Sequence, residues 1–236
     1  MQIESKVKEL KYRLESVKNR IRKLAIDCQR DPQSIRLVAV SKTMSTKRVK
    51  EAIDAGVEIL GENYIQEARE KIDRLSSYPV SWHFIGRLQT NKAKYAVRLF
   101  DLIHSVDSFK LAVELNKQAK KVGKVQDILI QINVGQEVSK SGASPKEAFD
   151  LVKNIGRLEN LCLRGLMTMP PFFNEPQKVR PYFSSLCDLC DRIKAMMPTS
   201  VPANELSMGM TNDFEVAIQE GATLLRIGTA IFGERN

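Results

Sequence analysis

The chain has 236 residues, of which 43% are hydrophobic, and a formal net charge of +9 at pH 7. This length and apolar content favour one domain with a single large core over two small domains. The charged amino-terminal segment MQIESKVKEL lacks the apolar stretch of a secretory signal, and no apolar run approaches the ~18 residues that span a bilayer. These features predict a cytoplasmic protein with no membrane segment.

The basic residues and the cysteines do not by themselves identify a partner or a metal. Basic residues follow helical apolar spacing and are not interleaved with aromatic residues that stack on bases, so no nucleic-acid surface is expected. Cys187 and Cys190 form a CxxC pair, but both histidines lie far upstream and a zinc site needs a closely specified ligand set. We expect no metal site, and reduced cysteines on one face of a helix from about Lys178 to Met196.

The amino-terminal segment predicts a long amphipathic helix. From Ile3 to Leu24, apolar residues recur at steps of three and four, which places them on one stripe. The helix is expected to end at about Cys28, before the segment DPQS at 31–34. About three heptads favour packing on the rest of the domain over pairing with a partner helix, so a monomer is expected.

Eight short apolar segments alternate with charged, amphipathic segments along the rest of the chain. The apolar segments begin near residues 35, 58, 80, 101, 127, 161, 204 and 223, and the last one is TLLRIGTAIFG. Such alternation requires a parallel sheet, and eight repeats within about 200 residues are typical of a closed barrel. We predict an α/β fold, a (β/α)8 TIM barrel forming one domain over 1–236, with 1–30 as a helix packed on it. A doubly wound open sheet is the alternative.

In such a barrel the functional site lies at the carboxyl ends of the strands. Lys42 directly follows the apolar run of the first predicted strand, LVAVSK. Partial burial there would favour the neutral amine, which can attack an aldehyde. The ordinary alternative is a lysine that extends from the strand end into solvent.

The last two predicted strands supply residues suited to a phosphate. The loops after strands 7 and 8 form the recurrent phosphate-binding corner of these barrels. Glycine lets the backbone approach a phosphate closely, and hydroxyl groups donate to its oxygens. The candidates in this corner are Ser207, Gly209, Thr211, Gly228 and Thr229.

Five motifs distributed along nearly the whole chain resemble the pyridoxal phosphate homeostasis proteins, the YggS/PROSC family. They are AVSKT (39–43), GENYIQEA (61–68), WHFIGRLQTNK (82–92), SMGMTND (207–213) and RIGTAIFG (226–233). That family is similar in fold to the N-terminal barrel of alanine racemase. The resemblance implies that pyridoxal 5'-phosphate (PLP) is held as a Schiff base on Lys42.

The resemblance also implies positions around the cofactor. Ser207, Gly228 and Thr229 would hold the phosphate, and Arg226 would lie against the pyridine nitrogen. A permanently charged arginine disfavours a proton on that nitrogen and so restrains carbanion chemistry. Asn63 is a candidate from its own position, because it follows the second predicted strand, within reach of the ring oxygen or the Schiff-base region.

Five further side chains have an ordinary structural interpretation beside a functional one. Met167 and Met208 are candidates for apolar contact with the ring, although core packing explains both equally well. His83 and His104 lie within strand-like runs, which favours buried core residues over general bases. Lys140 follows the fifth strand, where a solvent-facing loop lysine is favoured over a second amine at the pocket.

Two function classes remain open, a PLP enzyme such as an amino-acid racemase and a PLP carrier without catalytic residues. The racemases that resemble this barrel use a tyrosine from an additional β domain as a second acid/base, and here only GERN follows the Ile-Phe of the last predicted strand. Lys42 would then be the single proton-transfer group. We favour a carrier in vitamin B6 homeostasis, with PLP-dependent apo-enzymes as possible partners.

Overall fold

Eight parallel strands close into a barrel in chain order, each paired with the next and the last with the first. The computed structural model describes residues 2–137, 140–196 and 203–234, with side chains from residue 7 onward. The strands are β1 (Arg36–Val40), β2 (Ile59–Glu62), β3 (Ser81–Phe84), β4 (Leu102–Val106), β5 (Gln126–Gln131), β6 (Leu161–Met167), β7 (Glu205–Ser207) and β8 (Leu224–Ile227). The predicted TIM barrel is confirmed, and the open sheet is excluded because β8 pairs with β1.

Helices alternate with the strands on the outside of the barrel. They are α1 (Gln2–Asp27), α2 (Thr46–Asp54), α3 (Ile65–Arg74), α4 (Ala93–Leu99), α5 (Phe109–Lys121), α6 (Ala148–Ile155), α7 (Arg180–Met196), α8 (Phe214–Gln219) and α9 (Thr229–Phe232). Within the described ranges, no helix is both long and apolar enough to cross a membrane.

The end of the chain differs from the prediction of one long strand over TLLRIGTAIFG. Pairing of β8 with β1 stops at Ile227, opposite Ala39. Gly228 then precedes the short helix α9, whose residues Ile231 and Phe232 are buried. The apolar side chains that resembled a strand are therefore buried by a helical turn against the core.

The amino-terminal helix α1 packs on the barrel through its apolar stripe. The buried residues of the stripe are Leu10, Leu14, Val17, Ile21 and Ala25. The helix contacts α2, α8 and α9. Arg30, just beyond the helix, donates to the carbonyls of Ile218 and Ala222 at 2.7 Å each. These contacts connect the first helix of the chain to the last barrel unit.

The hydrophobic core consists of two clusters of buried residues. The larger lies between the sheet and the helices, and a separate cluster fills part of the barrel interior, as the alternation of strand side chains requires. This interior cluster consists of Val38, Leu102, Leu129, Met167 and Leu224.

The barrel interior also contains both histidines of the chain. Nδ1 of His83 lies 3.0 Å from Nε2 of His104, and both rings are buried. Burial lowers the pKa of His83 to about 3 and holds that of His104 well below its ordinary value. Both imidazoles are therefore neutral at pH 7, and each can donate one hydrogen bond and accept another.

The neutral histidine pair predicts an unusual titration. Histidines of the unfolded chain protonate near pH 6.5, about the usual value, whereas the folded pair stays neutral far below it. The unfolded state therefore binds more protons in acid, and the free energy of unfolding should fall by up to about 1.4 kcal/mol per pH unit for each histidine below that pH.

Imidazole NMR resonances provide the measurement, because the chain has only 2 histidines. We expect neither set of resonances to titrate between about pH 8 and pH 5 in the folded protein, while both titrate normally in urea. A midpoint near pH 6.5 in the folded protein would contradict the described pair.

Candidate binding site at the carboxyl ends of the strands

A cavity of about 240 Å³ opens at the carboxyl end of the barrel. Six of the eight site residues predicted from the sequence line it: Lys42, Asn63, Thr211, Arg226, Gly228 and Thr229. Apolar lining comes from Val40 and Ile85 inside and from Met169, Phe172 and Met210 at the mouth. Ser207 and Gly209 are not part of the lining. The loops after β1, β2 and β6–β8 thus meet at one polar pocket with apolar walls.

Lys42 lies on a tight turn directly after β1. The turn is closed by a hydrogen bond from the Met44 amide to the Ser41 carbonyl at 3.0 Å. Thr43 has a φ of +67°, a conformation that β-branched residues rarely adopt. Lys42 itself is half-buried and lines the cavity. The strained turn fixes where this side chain leaves the backbone.

Arg226 forms part of the cavity lining from inside the barrel, although its side chain is almost completely buried. Its guanidinium donates to the Thr168 carbonyl at 2.8 Å and to Ser207 Oγ at 2.6 Å. Burial lowers the pKa of Arg226 to about 10, and the charge of Asp213 opposes this shift. The guanidinium therefore remains charged at pH 7.

Ser207 connects Arg226 to the histidine pair. Its Oγ lies 2.8 Å from Nδ1 of His104, which contacts His83 through Nε2. Because Ser207 Oγ accepts a hydrogen bond from Arg226, it can donate its own proton to His104, and His104 can then donate to His83. This assignment gives both ring nitrogens of His104, and Nδ1 of His83, a compatible partner with both imidazoles neutral. The Ser207 side chain is thus engaged inside the barrel, and it does not line the pocket.

The phosphate corner predicted after β7 and β8 contains two threonines and a glycine at the pocket. The Thr229 hydroxyl donates to Thr211 Oγ1 at 3.0 Å. Gly228 has no side chain beside them, and a Cβ there would meet the Val40 side chain at 3.4 Å. Hydroxyl groups and open backbone therefore face this end of the cavity.

Gly209 serves the packing of this corner. Its φ is +88°, and a Cβ there would lie 2.5 Å from the Cβ of Ala217 on α8. Its carbonyl accepts a hydrogen bond from the Arg226 amide at 3.0 Å. Glycine is required because α8 and the loop after β7 approach so closely.

Asn63 and Asp213 complete the polar lining. Oδ1 of Asn63 is buried and accepts no hydrogen bond from the described residues. The backbone of Asn63 is closely covered by Gly86, where a Cβ would lie 2.3 Å from the Asn63 carbonyl oxygen. Asp213 lies within the motif SMGMTND but was not predicted as a site residue. Its carboxylate accepts a hydrogen bond from the Met210 amide at 2.6 Å, and burial raises its pKa. Asn63 thus offers an unused acceptor to a ligand.

The methionines at the pocket differ from those considered in the sequence. Met167 and Met208 are completely buried in the two core clusters and do not line the cavity. Met169 and Met210, two residues further along, line the mouth together with the exposed Phe172. The side chains past the strand ends therefore form the rim.

Two other predicted positions have ordinary surroundings. Lys140 is half-buried, forms an ion pair with Glu137 at 2.7 Å and lines a neighbouring cavity of about 260 Å³ with Arg87. The Cys190 thiol donates to the Ala203 carbonyl, and burial raises its pKa to about 11. No group of three or more metal-ligating side chains is close enough to hold an ion in the part of the chain that the structure describes.

The pocket fits the functional groups of PLP. Lys42 contributes an amine, the group that condenses with an aldehyde, and the hydroxyls of Thr211 and Thr229 suit a phosphate. The buried acceptor of Asn63 and the charged Arg226 offer polar contacts to a heterocyclic ring between them. A larger groove of about 770 Å³ lies at the opposite end of the barrel, against α1, where TIM barrels do not carry their active sites.

Comparison with known sequences identifies close relatives. The family described as "Alanine racemase, N-terminal domain" matches residues 13–236. The pyridoxal phosphate homeostasis protein of Aquifex aeolicus is 44% identical over 223 residues, which cover 94% of this chain and 97% of that protein. The protein of the same name from Escherichia coli K12 is 38% identical over 231 residues, covering 97% of each chain.

Solved structures agree with these matches. PipY of Synechococcus elongatus PCC7942 with PLP bound has a TM-score of 0.84 and 33% sequence identity, covering 95% of this chain and 100% of PipY. Alanine racemase of Clostridium difficile 630 has a TM-score of 0.70 at 17% identity and covers 96% of this chain but 56% of the racemase, a likeness of fold alone. With relatives this similar over nearly its whole length, the chain belongs to the pyridoxal phosphate homeostasis protein family, whose barrel is that of the alanine racemase N-terminal domain.

Proposed function

We propose that this chain binds PLP in the pocket at the carboxyl end of the barrel, as a Schiff base on Lys42, and serves PLP homeostasis as a carrier. The observation that carries the proposal is that Lys42 lines the same cavity as Thr211, Gly228, Thr229 and the buried Arg226. The names of the relatives and the PLP bound in PipY support the same ligand.

Lys42 would make the covalent bond. An amine attacks an aldehyde in its neutral form, and Lys42 would supply that amine, its two protons leaving with the aldehyde oxygen as water. When bound, PLP supplies this electrophilic carbon and a ring that can delocalise electrons. Asn63 Oδ1 would accept a hydrogen bond at this end of the pocket, since it has no partner among the described residues.

Thr211, Gly228 and Thr229 would bind the phosphate. The two hydroxyls are already within hydrogen-bonding distance of each other, and Gly228 leaves the backbone accessible. Both hydroxyls can turn their protons towards phosphate oxygens. Ser207 and Gly209 would act indirectly, Ser207 by holding Arg226 and Gly209 by admitting α8.

Arg226 would orient the ring and limit its chemistry. Two neutral acceptors hold the guanidinium, which keeps its charge despite burial. A cation beside the pyridine nitrogen disfavours protonation of that nitrogen, which a strong electron sink requires. This arrangement would restrain carbanion chemistry on the ring.

The carrier role includes expectations that extend beyond the pocket. PLP-dependent apo-enzymes would be the recipients, reached by a monomer in the cytoplasm. Met169 and Phe172 at the mouth are exposed, so a ligand in the pocket would lie next to a rim that solvent reaches. An open mouth is consistent with release of PLP and does not favour a reaction that must exclude water.

Addition of PLP to the purified protein tests the cofactor proposal. We expect a visible absorption band that disappears on borohydride reduction, and no such band in Lys42→Ala, because no amine would remain at the pocket. Lys47→Ala, which removes an exposed lysine from the following helix, is the matched control and should retain the band. A wild-type protein without the band, or an unchanged band in Lys42→Ala, would refute the proposal.

Incubation of the PLP-loaded protein with a panel of amino acids tests the carrier role. We expect racemisation and transamination at rates no higher than those of free PLP, because Arg226 restrains the electron sink. Chiral chromatography of the recovered amino acids provides the measurement. Turnover well above free PLP that is abolished by Lys42→Ala would establish the enzyme alternative instead.

A further inference from the structure

A charged cluster outside the pocket holds both residues that flank Lys42. The cluster consists of Glu62 at the end of β2 and of Glu67 and Lys71 on α3, and we call it the Lys71 cluster. Ser41 Oγ donates to Glu62 Oε1, and the Thr43 amide donates to Glu67 Oε1, each at 2.5 Å. One carboxylate therefore binds on each side of Lys42 in the sequence.

Lys71 joins these two carboxylates. Its Nζ donates to Glu62 Oε1 at 2.7 Å, to Glu67 Oε1 at 2.7 Å and to the Ser41 carbonyl at 2.6 Å. A lysine ammonium has three donors, and all three are used here. The Lys71 side chain is 3% exposed and that of Glu62 is 0% exposed, so water screens their attraction little.

Burial of these charges is costly, and stability alone is a weak explanation for it. A buried ion pair often contributes no more stability than apolar residues of the same size. Apolar residues, however, have no hydrogen-bonding groups for the Ser41 hydroxyl, the Ser41 carbonyl and the Thr43 amide. The cluster supplies all three, and it does so around a Thr43 backbone that is strained at φ +67°.

We propose that Glu67 and Lys71 are positioning residues, which fix the turn between Ser41 and Thr43 so that the Lys42 amine faces the pocket and captures PLP covalently. The inference rests on the proposed function of Lys42. Neither residue lines the pocket, so both act through the turn. The phosphate corner at Thr211 and Thr229 belongs to other loops and is independent of them.

Two readouts separate positioning from general stability. The first is total PLP bound at saturation, measured by equilibrium dialysis. The second is the rate at which PLP becomes covalently attached, measured by borohydride quenching and denaturation. A loss of fold lowers both, whereas a misplaced Lys42 lowers covalent capture while the phosphate corner still binds PLP.

Glu67→Ala and Glu67→Gln form the decisive pair. Glu67 is partly exposed, and without it Lys71 still forms an ion pair with Glu62. The buried lysine therefore keeps a partner of opposite charge in the variant. We expect Glu67→Ala to slow covalent capture by roughly tenfold, the effect of losing the charge-assisted hydrogen bond to the Thr43 amide that fixes the turn. Glu67→Gln keeps a carbonyl oxygen for the Thr43 amide and should recover most of the rate.

Lys71→Met and a control complete the test. Lys71→Met should slow capture at least as strongly, with circular dichroism checking that the chain still folds around Glu62. Arg74→Met, which removes an exposed ion pair with Glu70 from the same helix, should behave as wild type. Capture by Glu67→Ala at the wild-type rate would overturn the inference, whether or not Lys71→Met folds. Absence of covalent capture in the wild-type protein would instead overturn the proposed function, and the inference with it.

Discussion

The site depends on how the barrel accommodates Arg226. A guanidinium with an almost completely buried side chain needs hydrogen-bond acceptors, and it finds them in the Thr168 carbonyl and Ser207 Oγ. Ser207 Oγ can accept a hydrogen bond from Arg226 because it can donate its own proton to His104. His104 accepts that hydrogen bond only while its ring is neutral, and burial of both rings keeps the histidine pair neutral. A chain of neutral groups thus holds one charge at the base of the pocket.

The turn that carries Lys42, after the neighbouring strand β1, is fixed by charged groups. Lys42 lies on a strained turn whose flanking groups are bound by buried and half-buried charges on β2 and α3. The contacts that hold the Lys42 turn and those that hold Arg226 share no residue, so the Lys42 amine and the Arg226 guanidinium are positioned independently. A protein that holds PLP needs both positions rigid, while the exposed mouth at Phe172 leaves exchange of the ligand open. Fixed contacts inside and an open rim outside fit a carrier.

Much of this arrangement could be predicted from the sequence, because strand order and strand ends follow from apolar patterning. The barrel, and the presence of Lys42, Thr211 and Gly228 at one face of it, needed only the rule that strand ends converge. The inward direction of Ser207 was not predicted, because the sequence does not show where so short a strand ends; its contacts with Arg226 and His104 establish that direction. Met169 and Met210 were not predicted, because they lie two residues past Met167 and Met208, which the core buries at the strand ends.

The Lys71 cluster and α9 could not be predicted from local sequence patterns. Lys71 looks like any lysine of an amphipathic helix, and only the packing of α3 against the turn after β1 buries it. The apolar residues after Gly228 suit a strand or a helical turn equally well, and the position at which pairing with β1 ends decides between them. Tertiary contacts, and not sequence spacing, determine both.

Peptide mapping of the PLP-loaded, borohydride-reduced protein by mass spectrometry tests the central claim most directly. Reduction makes the linkage permanent, so the modified lysine can be identified among all the lysines of the chain. We expect one phosphopyridoxyl group per chain, on Lys42. A phosphopyridoxyl group on another residue, such as Lys140 beside the neighbouring cavity, or a scattered low-level modification of surface lysines, would contradict the proposed site.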